Sequence, residues 1–393
     1  MDHYDVVIAG GSIAGLLAAR EIAYIKNISV MVLEEDPEIG TPEHCGGLVS
    51  MEGIEKLGII PSYDVLDNKI KSAKFFSPSS GFEVKAESQN VIVLNRRAFD
   101  KQIAFQAQKM GAEIRVKCSM ISISRKDQNK DSNHLSGHIL KTTEGELECD
   151  YFIDGRGIVS LLKRSREGIL QSAQYEVYAP WIDRDTVEVQ FDNQKYPGFF
   201  AWIIPTGSGK GKVGVAGRSI NAAKVLKSYM DNKAGKYTVV RRVYAPIWIM
   251  GPIESFLNGP KAIVIGDAAG QTKPTTAGGI YSCGMGGILA GRAVVNAIEN
   301  NRDTLLGEYQ KDWSSIFGAE FKKMKIVREI LERLDNKALD ELFSSISEIE
   351  ISRISAEGNF DIHSTAIYKI LGAKHTSKII KTLLGNEARR LLW

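Results

Sequence analysis

Cysteine is scarce in this chain of 393 residues. There are four, at Cys45, Cys118, Cys149 and Cys283. None forms a Cys-x-x-Cys pair or a zinc-like spacing with histidine, which excludes a disulfide framework and a sequence-readable zinc site. So few thiols in so long a chain are expected of a reduced, intracellular protein. A charge excess is also missing. Fifty basic residues against 47 acidic ones leave a net charge of +3, with no long block of one sign, which argues against nucleic acid as a partner. No signal peptide is legible, because an apolar strand already begins at Asp5 and leaves no room for one. Long apolar runs are nearly absent. The exception, Ile280–Ile298, carries one charge, Arg292, and follows a glycine-rich loop. Six of the residues from Gly278 to Gly291 are glycine, so it reads as a helix in a tightly packed core and not as a transmembrane span.

What is present is ordinary globular material, 44% apolar and 25% charged. The length exceeds one ordinary core and suggests two domains with a helical tail. The chain opens on "YDVVIAGGSIAGLLAAREIA", an apolar strand, a tight turn and an apolar-faced helix. The turn fits Gly-x-Gly-x-x-Gly with Gly10, Ser12 and Gly15 at the three positions, the middle one being small but not glycine. The first glycine permits the turn, the second position lets the backbone approach a pyrophosphate, and the third lets helix pack on strand. The helix N-terminus offers N–H groups to phosphate. The strand "ISVMVLEE" then presents Glu34, nineteen residues after Gly15, where a carboxylate can accept from ribose hydroxyls.

Later segments point to FAD over NAD. "VLNRRAFDKQIAFQAQKMGAEI" reads as a strand end running into an amphipathic helix with Phe99, Ile103, Ala107 and Met110 inward. Two further strands close on Asp154-Gly155 and on Gly266-Asp267, a habit common in flavin enzymes. Asp267 suits the ribityl chain. The helix start at Gly278, Gly279 and Ile280 suits the flavin edge where negative charge builds on reduction.

With these residues in view, the chain resembles the FAD-dependent geranylgeranyl reductase family, within the wider group built like p-hydroxybenzoate hydroxylase. The resemblance rests on "GGSIAG" (with Ala14) and Glu34, "NRRAFD", "IDG" and "IGDAAG…KPTTAGGI" (with Pro274). It implies that Arg96 is the flavin-associated arginine and that the backbone of Met120 lies near adenine. Two features narrow it further. Pro42, Cys45, Gly46 and Gly47 match the reductases' Pro-x-x-Cys-Gly-Gly stretch. "FFAWIIP" resembles their Tyr-x-Trp-x-Phe-Pro signature, keeping Trp202 and Pro205 while Phe200 replaces tyrosine and Ile204 phenylalanine. The fold so implied is α/β with an α+β insert: a Rossmann-like FAD-binding domain over 1–163 and 260–300, an antiparallel-sheet substrate domain over 164–259, and a helical region over 301–393.

The function so implied is saturation of C=C bonds in polyprenyl chains, geranylgeranyl groups of an ether lipid precursor above all. Phe200, Trp202 and Pro205 would meet the substrate. Cys45 would contact the flavin, and Cys45, Tyr281 or water would supply the proton. Electrons would come from ferredoxin or another reduced carrier, since no second dinucleotide motif is evident. Residues 370–393 read as basic and amphipathic, suited either to an anionic membrane surface or to packing on the protein. The expected location is cytoplasmic, peripheral at most on the inner membrane surface. Rival readings on the same scaffold are a flavin monooxygenase acting on an aromatic or quinone precursor, a flavin halogenase, and a flavoprotein that only passes electrons to quinone.

Overall fold

The computed structural model describes residues 1–125, 137–162, 167–233 and 235–363. The basic stretch 370–393 lies outside them. The described chain forms two compact units. The first comprises 1–43, 96–168 and 248–321, and the second 44–95, 169–247 and the residues from 322 onward.

The first unit is built on a seven-stranded sheet. Its first strand, Asp2–Ala9, pairs in parallel with Val30–Leu33 on one side and with Gly145–Asp154 on the other. Strand order therefore reverses at Asp2–Ala9, and in open α/β sheets such a reversal opens a crevice beyond the strands' carboxyl ends. Glu113–Arg115 and Ala262–Val264 extend the parallel part, while His138–Thr142 and Met120–Arg125 add an antiparallel edge. Burial on both faces explains why Val6, Val7, Ile8 and Ala9 are all apolar and fully enclosed.

Two helices of this unit pack backbone to backbone. A Cβ on Gly287 would overlap the carbonyl oxygen of Ala14, and one on Gly291 would stand 2.8 Å from that of Ala18. The glycine-rich run is therefore the helix Ile280–Glu299, pressed onto Ile13–Ala23. Small residues let the two axes approach closely, as the sequence suggested. No helix among the described residues is long and apolar enough to cross a membrane. The helix Arg96–Met110 buries Phe99, Ile103 and Ala107 as expected, but Met110 is exposed, because it is the last helical residue.

The second unit holds a seven-stranded sheet in the order Thr238–Trp248, Ile169–Tyr178, Lys210–Gly217, Phe200–Gly207, Thr186–Phe191, Ser72–Phe76 and Gly81–Lys85. One joint, between Thr186–Phe191 and Ser72–Phe76, is parallel. A separate three-stranded antiparallel sheet joins Leu48–Ser50, Val91–Leu94 and Leu66–Lys69. Residues 44–95, read from sequence as part of the FAD-binding domain, thus supply strands to the second unit. Within the stretch 164–259 read as the substrate domain, Trp248 and Met250 fall in the first unit. There the indole of Trp248 donates to the carbonyl of Gly251 at 2.6 Å.

The apolar stripe of the tail is one helix, Leu306–Arg333. Tyr309, Trp313, Phe317 and Phe321 are buried in the first unit. Val327 packs with Leu339, Leu342 and Phe343 in the second. The following helix, Asn336–Ser344, is capped by Asp335, whose carboxylate accepts from the Ala338 N–H.

Candidate functional site

In the first unit many of the predicted cofactor residues gather at the carboxyl ends of four strands, Asp2–Ala9, Val30–Leu33, Gly145–Asp154 and Ala262–Val264. The N–H of Gly10 donates to Leu33 O at 2.8 Å, and the N–H of Gly155 donates to Ala9 O at 2.8 Å. Gly10 has φ +111°, and a Cβ there would run into the carbonyl of Gly155. A Cβ on Gly15 would overlap Gly10 O. These two glycines are thus required by the turn itself. Ser12 caps the helix Ile13–Ala23 without a side-chain bond, so the N–H groups of the first turn, around Ala14, remain for a ligand.

Glu34 ends the second strand. Its Oε2 accepts from the Gly11 N–H at 2.8 Å and its Oε1 from the Asp36 N–H at 2.9 Å. Each oxygen keeps a lone pair, so ribose hydroxyls can still be bound. Burial pushes the Glu34 carboxyl up from its usual range, against the pull of those two backbone bonds. Met120 opens its strand and packs on the core that holds Met31 and Cys118.

Asp154 is used differently. It is buried, and its oxygens accept from Arg156 at 2.8 and 3.0 Å and from the Ser160 hydroxyl at 2.9 Å. Burial alone would raise its pKa. The Arg156 bonds, with Ser160 behind them, outweigh this and hold it below its usual value. Asp154 therefore fixes the turn after Gly155.

Around the second Gly-Asp turn, Gly266 has φ +63° and approaches Ala14, its Cβ position 3.0 Å from the alanine methyl. Asp267 presents accessible surface yet is closely surrounded by protein. Burial pushes its carboxyl up, while the Cys283 thiol, donating at 3.4 Å, and the charge of Arg96 pull it down. Arg96 is held by Asp100 through Nη2 at 2.9 Å. The loop from Gln271 to Gly279 packs Pro274 beside Gly251 and delivers Gly278, Gly279 and Ile280 to the start of the glycine helix. That helix begins without a side-chain cap and without an acidic residue in its first turn.

A support that sequence reasoning did not identify lies behind this loop. Gln271 accepts from the Gly266 N–H at 2.8 Å and donates to the Tyr309 hydroxyl at 2.8 Å. Trp313 donates to Ser282 O at 3.0 Å, and Ser282 donates to Gln271 O at 2.6 Å. The aromatics of "EYQKDW" thus brace the loop from below. Tyr281 is buried, edge-on to Phe317 with ring centroids 5.3 Å apart.

The glycines, the N-termini of two helices, Glu34, Arg96 and Asp267 lie on one side of this unit, and their chemistry suits a flavin cofactor. A narrow backbone turn could hold phosphate, a carboxylate could accept from hydroxyls, and an uncapped helix start could face an electron-rich edge.

Cys45, Gly46 and Gly47 lie in the second unit. Gly47 has φ +85°, and a Cβ on it would overlap Leu94 O, while one on Gly46 would come 2.5 Å from Ile204 Cδ1. The two glycines are therefore demanded by close packing on neighbouring strands. The Cys45 thiol accepts from the Gly47 N–H at 3.4 Å. The Cys45 carbonyl accepts from Lys212 Nζ at 3.3 Å and from Gln174 Nε2 at 3.4 Å. Trp202 joins this group by donating to Gln174 Oε1 at 3.1 Å, and it lies flat on Gly214, which has no side chain to obstruct it. Phe200 stacks on Phe199 with centroids 4.0 Å apart and meets Trp202 edge-on at 6.1 Å. Pro205 accepts from Asn68 at 3.0 Å and marks a register irregularity in the sheet. Structure thus brings Cys45 and Trp202 together through Gln174. Gln174 and Lys212 carried no signal in the sequence, being single polar residues in strands. None of the four cysteines is in a disulfide, and Cys118 and Cys149 are core residues.

No family model matches the chain. Individual relatives do. Digeranylgeranylglycerophospholipid reductase 2 of Methanothermobacter thermautotrophicus is 30% identical over 90% of this chain and 94% of its own length. Digeranylgeranylglycerophospholipid reductase 1 of Methanopyrus kandleri is 30% identical over 88% of this chain and 96% of its own. Among solved structures, a geranylgeranyl bacteriochlorophyll reductase-like protein of Thermoplasma acidophilum superposes with a TM-score of 0.84 at 23% identity, covering 98% of this chain and 100% of that one. A flavin-dependent brominase, at TM-score 0.63 and 18% identity over 93% of this chain and 97% of its own, shares the fold more loosely. The full-length likeness to the curated reductases settles the family: the chain belongs to the digeranylgeranylglycerophospholipid reductases.

Proposed function

We propose that this protein is an FAD-dependent reductase that saturates C=C bonds in the geranylgeranyl chains of a membrane lipid precursor. The observation that carries this reading is the 30% identity to a digeranylgeranylglycerophospholipid reductase over 90% of the chain. The cradle of Gly10, Gly15, Glu34 and Asp267 supports it.

Reduced FAD, when bound, supplies a hydride to one carbon of the double bond. The chain's own residues do the rest. Gly10, Ser12 and Gly15 admit the pyrophosphate, Glu34 accepts from the ribose, and Asp267 and Arg96 order the ribityl region. An isolated alkene has no carbonyl to stabilise developing charge, so positioning and exclusion of water carry much of the catalysis. Phe200 and Trp202 supply an apolar wall for a chain without polar handles. Cys45 is the proposed proton source for the second carbon, with Tyr281 as the other protein candidate. Ferredoxin or a similar reduced carrier is the proposed electron donor, and the cytoplasmic face of the membrane the proposed place of work.

The test is anaerobic. The flavin of the purified protein is reduced chemically, a geranylgeranylated lipid is added, and product mass is followed. A stepwise gain of two hydrogens per double bond is expected. No gain with lipid bound, together with oxygen-dependent hydroxylation of added aromatics, would replace the reductase by a monooxygenase.

A further inference from the structure

Arg328 is an arginine in an unusual position. It lies in the long helix, is 5% exposed, and has two guanidinium nitrogens, Nε and Nη2, fully enclosed and without a hydrogen-bond partner among the described residues. Buried polar groups are hydrogen-bonded in the great majority of cases, and a buried unpaired cation is more costly still. The carboxylate beside it does not meet the need. Glu332 Oε2 stands 4.0 Å from Arg328 Nε, beyond hydrogen-bond reach, and Glu332 Oε1 is engaged by Arg218 Nε. Burial, with Arg218 nearby, lowers the Arg328 pKa to about 10, with Glu332 opposing, so the group stays cationic at neutral pH.

The other neighbours are aromatic. The guanidinium lies over the ring of Phe199, 5.0 Å from its centroid. Phe199 stacks on Phe200, and both rings meet Trp202 edge-on at 6.4 and 6.1 Å. Gly198 packs against this pair, its Cβ position being 3.3 Å from the Glu332 carboxylate and 3.4 Å from Arg328 Nη2. Buried aromatic rings therefore lead directly to a buried cation, two of whose nitrogens have no hydrogen-bond partner among the described residues. A fitting ligand has a long apolar chain ending in an oxyanion.

We propose that Arg328 binds the phosphate of the lipid substrate's headgroup, setting which end of the molecule lies beside the Phe199–Phe200–Trp202 wall. The inference rests on the reading of the substrate as a polyprenyl lipid. Guanidinium is suited to the task because its planar fork matches two phosphate oxygens, which a lysine ammonium does not.

The test measures binding separately from turnover. Quenching of tryptophan fluorescence in the full-length holoenzyme is followed on titration with digeranylgeranylglyceryl phosphate, with its dephosphorylated alcohol, and with inorganic phosphate. Wild type is expected to favour the phosphorylated lipid over the alcohol by roughly 10- to 100-fold, the scale of hydrogen bonds to a charged group. In Arg328→Met the ratio falls toward one, and in Arg328→Lys it is intermediate. Equal binding of the two lipids by wild type overturns the proposal, even if neither variant folds. So does an undiminished ratio in an Arg328→Met protein with wild-type unfolding midpoint and flavin content. Inorganic phosphate that binds as tightly as the lipid would reassign the site to a free anion. A phosphate preference lost in Arg328→Met, with neither lipid reduced, would sink the reductase reading and leave the anion site standing.

Discussion

Lys212 reaches from its strand to donate a hydrogen bond to the carbonyl oxygen of Cys45 at 3.3 Å. The lysine is 3% exposed, so its ammonium depends on such partners for its hydrogen bonds. Gln174 gives a second donor to the same carbonyl and receives the indole N–H of Trp202. The Cys-Gly-Gly loop and the aromatic signature are thus mechanically one object within the second unit.

The consequence is testable with Lys212→Met, which keeps the length of the side chain and removes the donor. A charged donor to a buried carbonyl is worth about 1.5–3 kcal/mol. We expect kcat on the geranylgeranylated lipid to fall by about tenfold or more. Flavin content should stay near wild type, because the glycine cradle is in the other unit. Wild-type kcat and KM in a folded Lys212→Met protein would show that the loop does not depend on this bond.

The helix contact in the first unit leads to a stability prediction. Gly287 faces the carbonyl of Ala14 with no room for a methyl group. Gly287→Ala should therefore part the two helices and cost about 1–3 kcal/mol, the range for overpacking. Gly307, with nothing near its Cβ position, is the control, and Gly307→Ala should be neutral or slightly stabilising, since alanine favours a helix. Chemical unfolding midpoints decide it. Equal midpoints for the two variants would contradict the close approach.

These two cases mark what could be read in advance. The Gly10–Gly15 turn, Glu34 and the glycine-rich helix were legible because each motif is contiguous and its spacing carries the physics. The helical character of the region from 301 was legible too, and its apolar residues recur at helical spacing. Gly46 and Gly47 stood out in the sequence as part of the Cys-Gly-Gly stretch, but their packing partners did not. Their need for glycine comes from Leu94 and Ile204, strands apart in sequence. The strand Ile169–Tyr178 escaped because "ILQSAQYEVY" mixes polar residues into a central position. Lys212, Gln174 and Arg328 were invisible because a lone polar residue acquires meaning only from what surrounds it. The division of the chain at Glu43 and Asn95 was hidden too, since both cuts fall inside motifs that look continuous.

Acid should act through Asp154. Its pKa is held below the usual 3.8 in the folded protein, burial being outweighed by its bonds to Arg156 and Ser160. A carboxylate with a depressed folded pKa stabilises the fold above its unfolded pKa. That contribution is lost as pH falls through the folded value. Asp154→Asn should thus be less stable than wild type near neutral pH, by about 1.5–3 kcal/mol for hydrogen bonds to a charged group. The gap should narrow as pH falls through the depressed folded value, below 3.8. A gap that stays constant across that range would mean the charge of Asp154 contributes nothing.

The last prediction separates the candidate acids. The Cys45 thiol accepts only a long bond, from the Gly47 N–H at 3.4 Å, whereas Tyr281 is packed into the core beside Phe317. A residue that must give up a proton at each turnover needs its acidic hydrogen close to the reacting carbon, and general acid catalysis is worth about 10²–10⁴-fold. Cys45→Ala should therefore lower kcat on the anaerobically reduced enzyme by about a hundredfold with little change in KM. Cys45→Ser, a weaker acid with the same hydrogen-bonding pattern, should fall between. Tyr281→Phe keeps the ring contact with Phe317 and should lose less than about tenfold, an effect of packing and not of proton transfer. The reverse order of losses would move the proton to Tyr281. If both variants stay within about threefold of wild type, the proton comes from water, and Cys45 holds its place for the geometry of the loop alone.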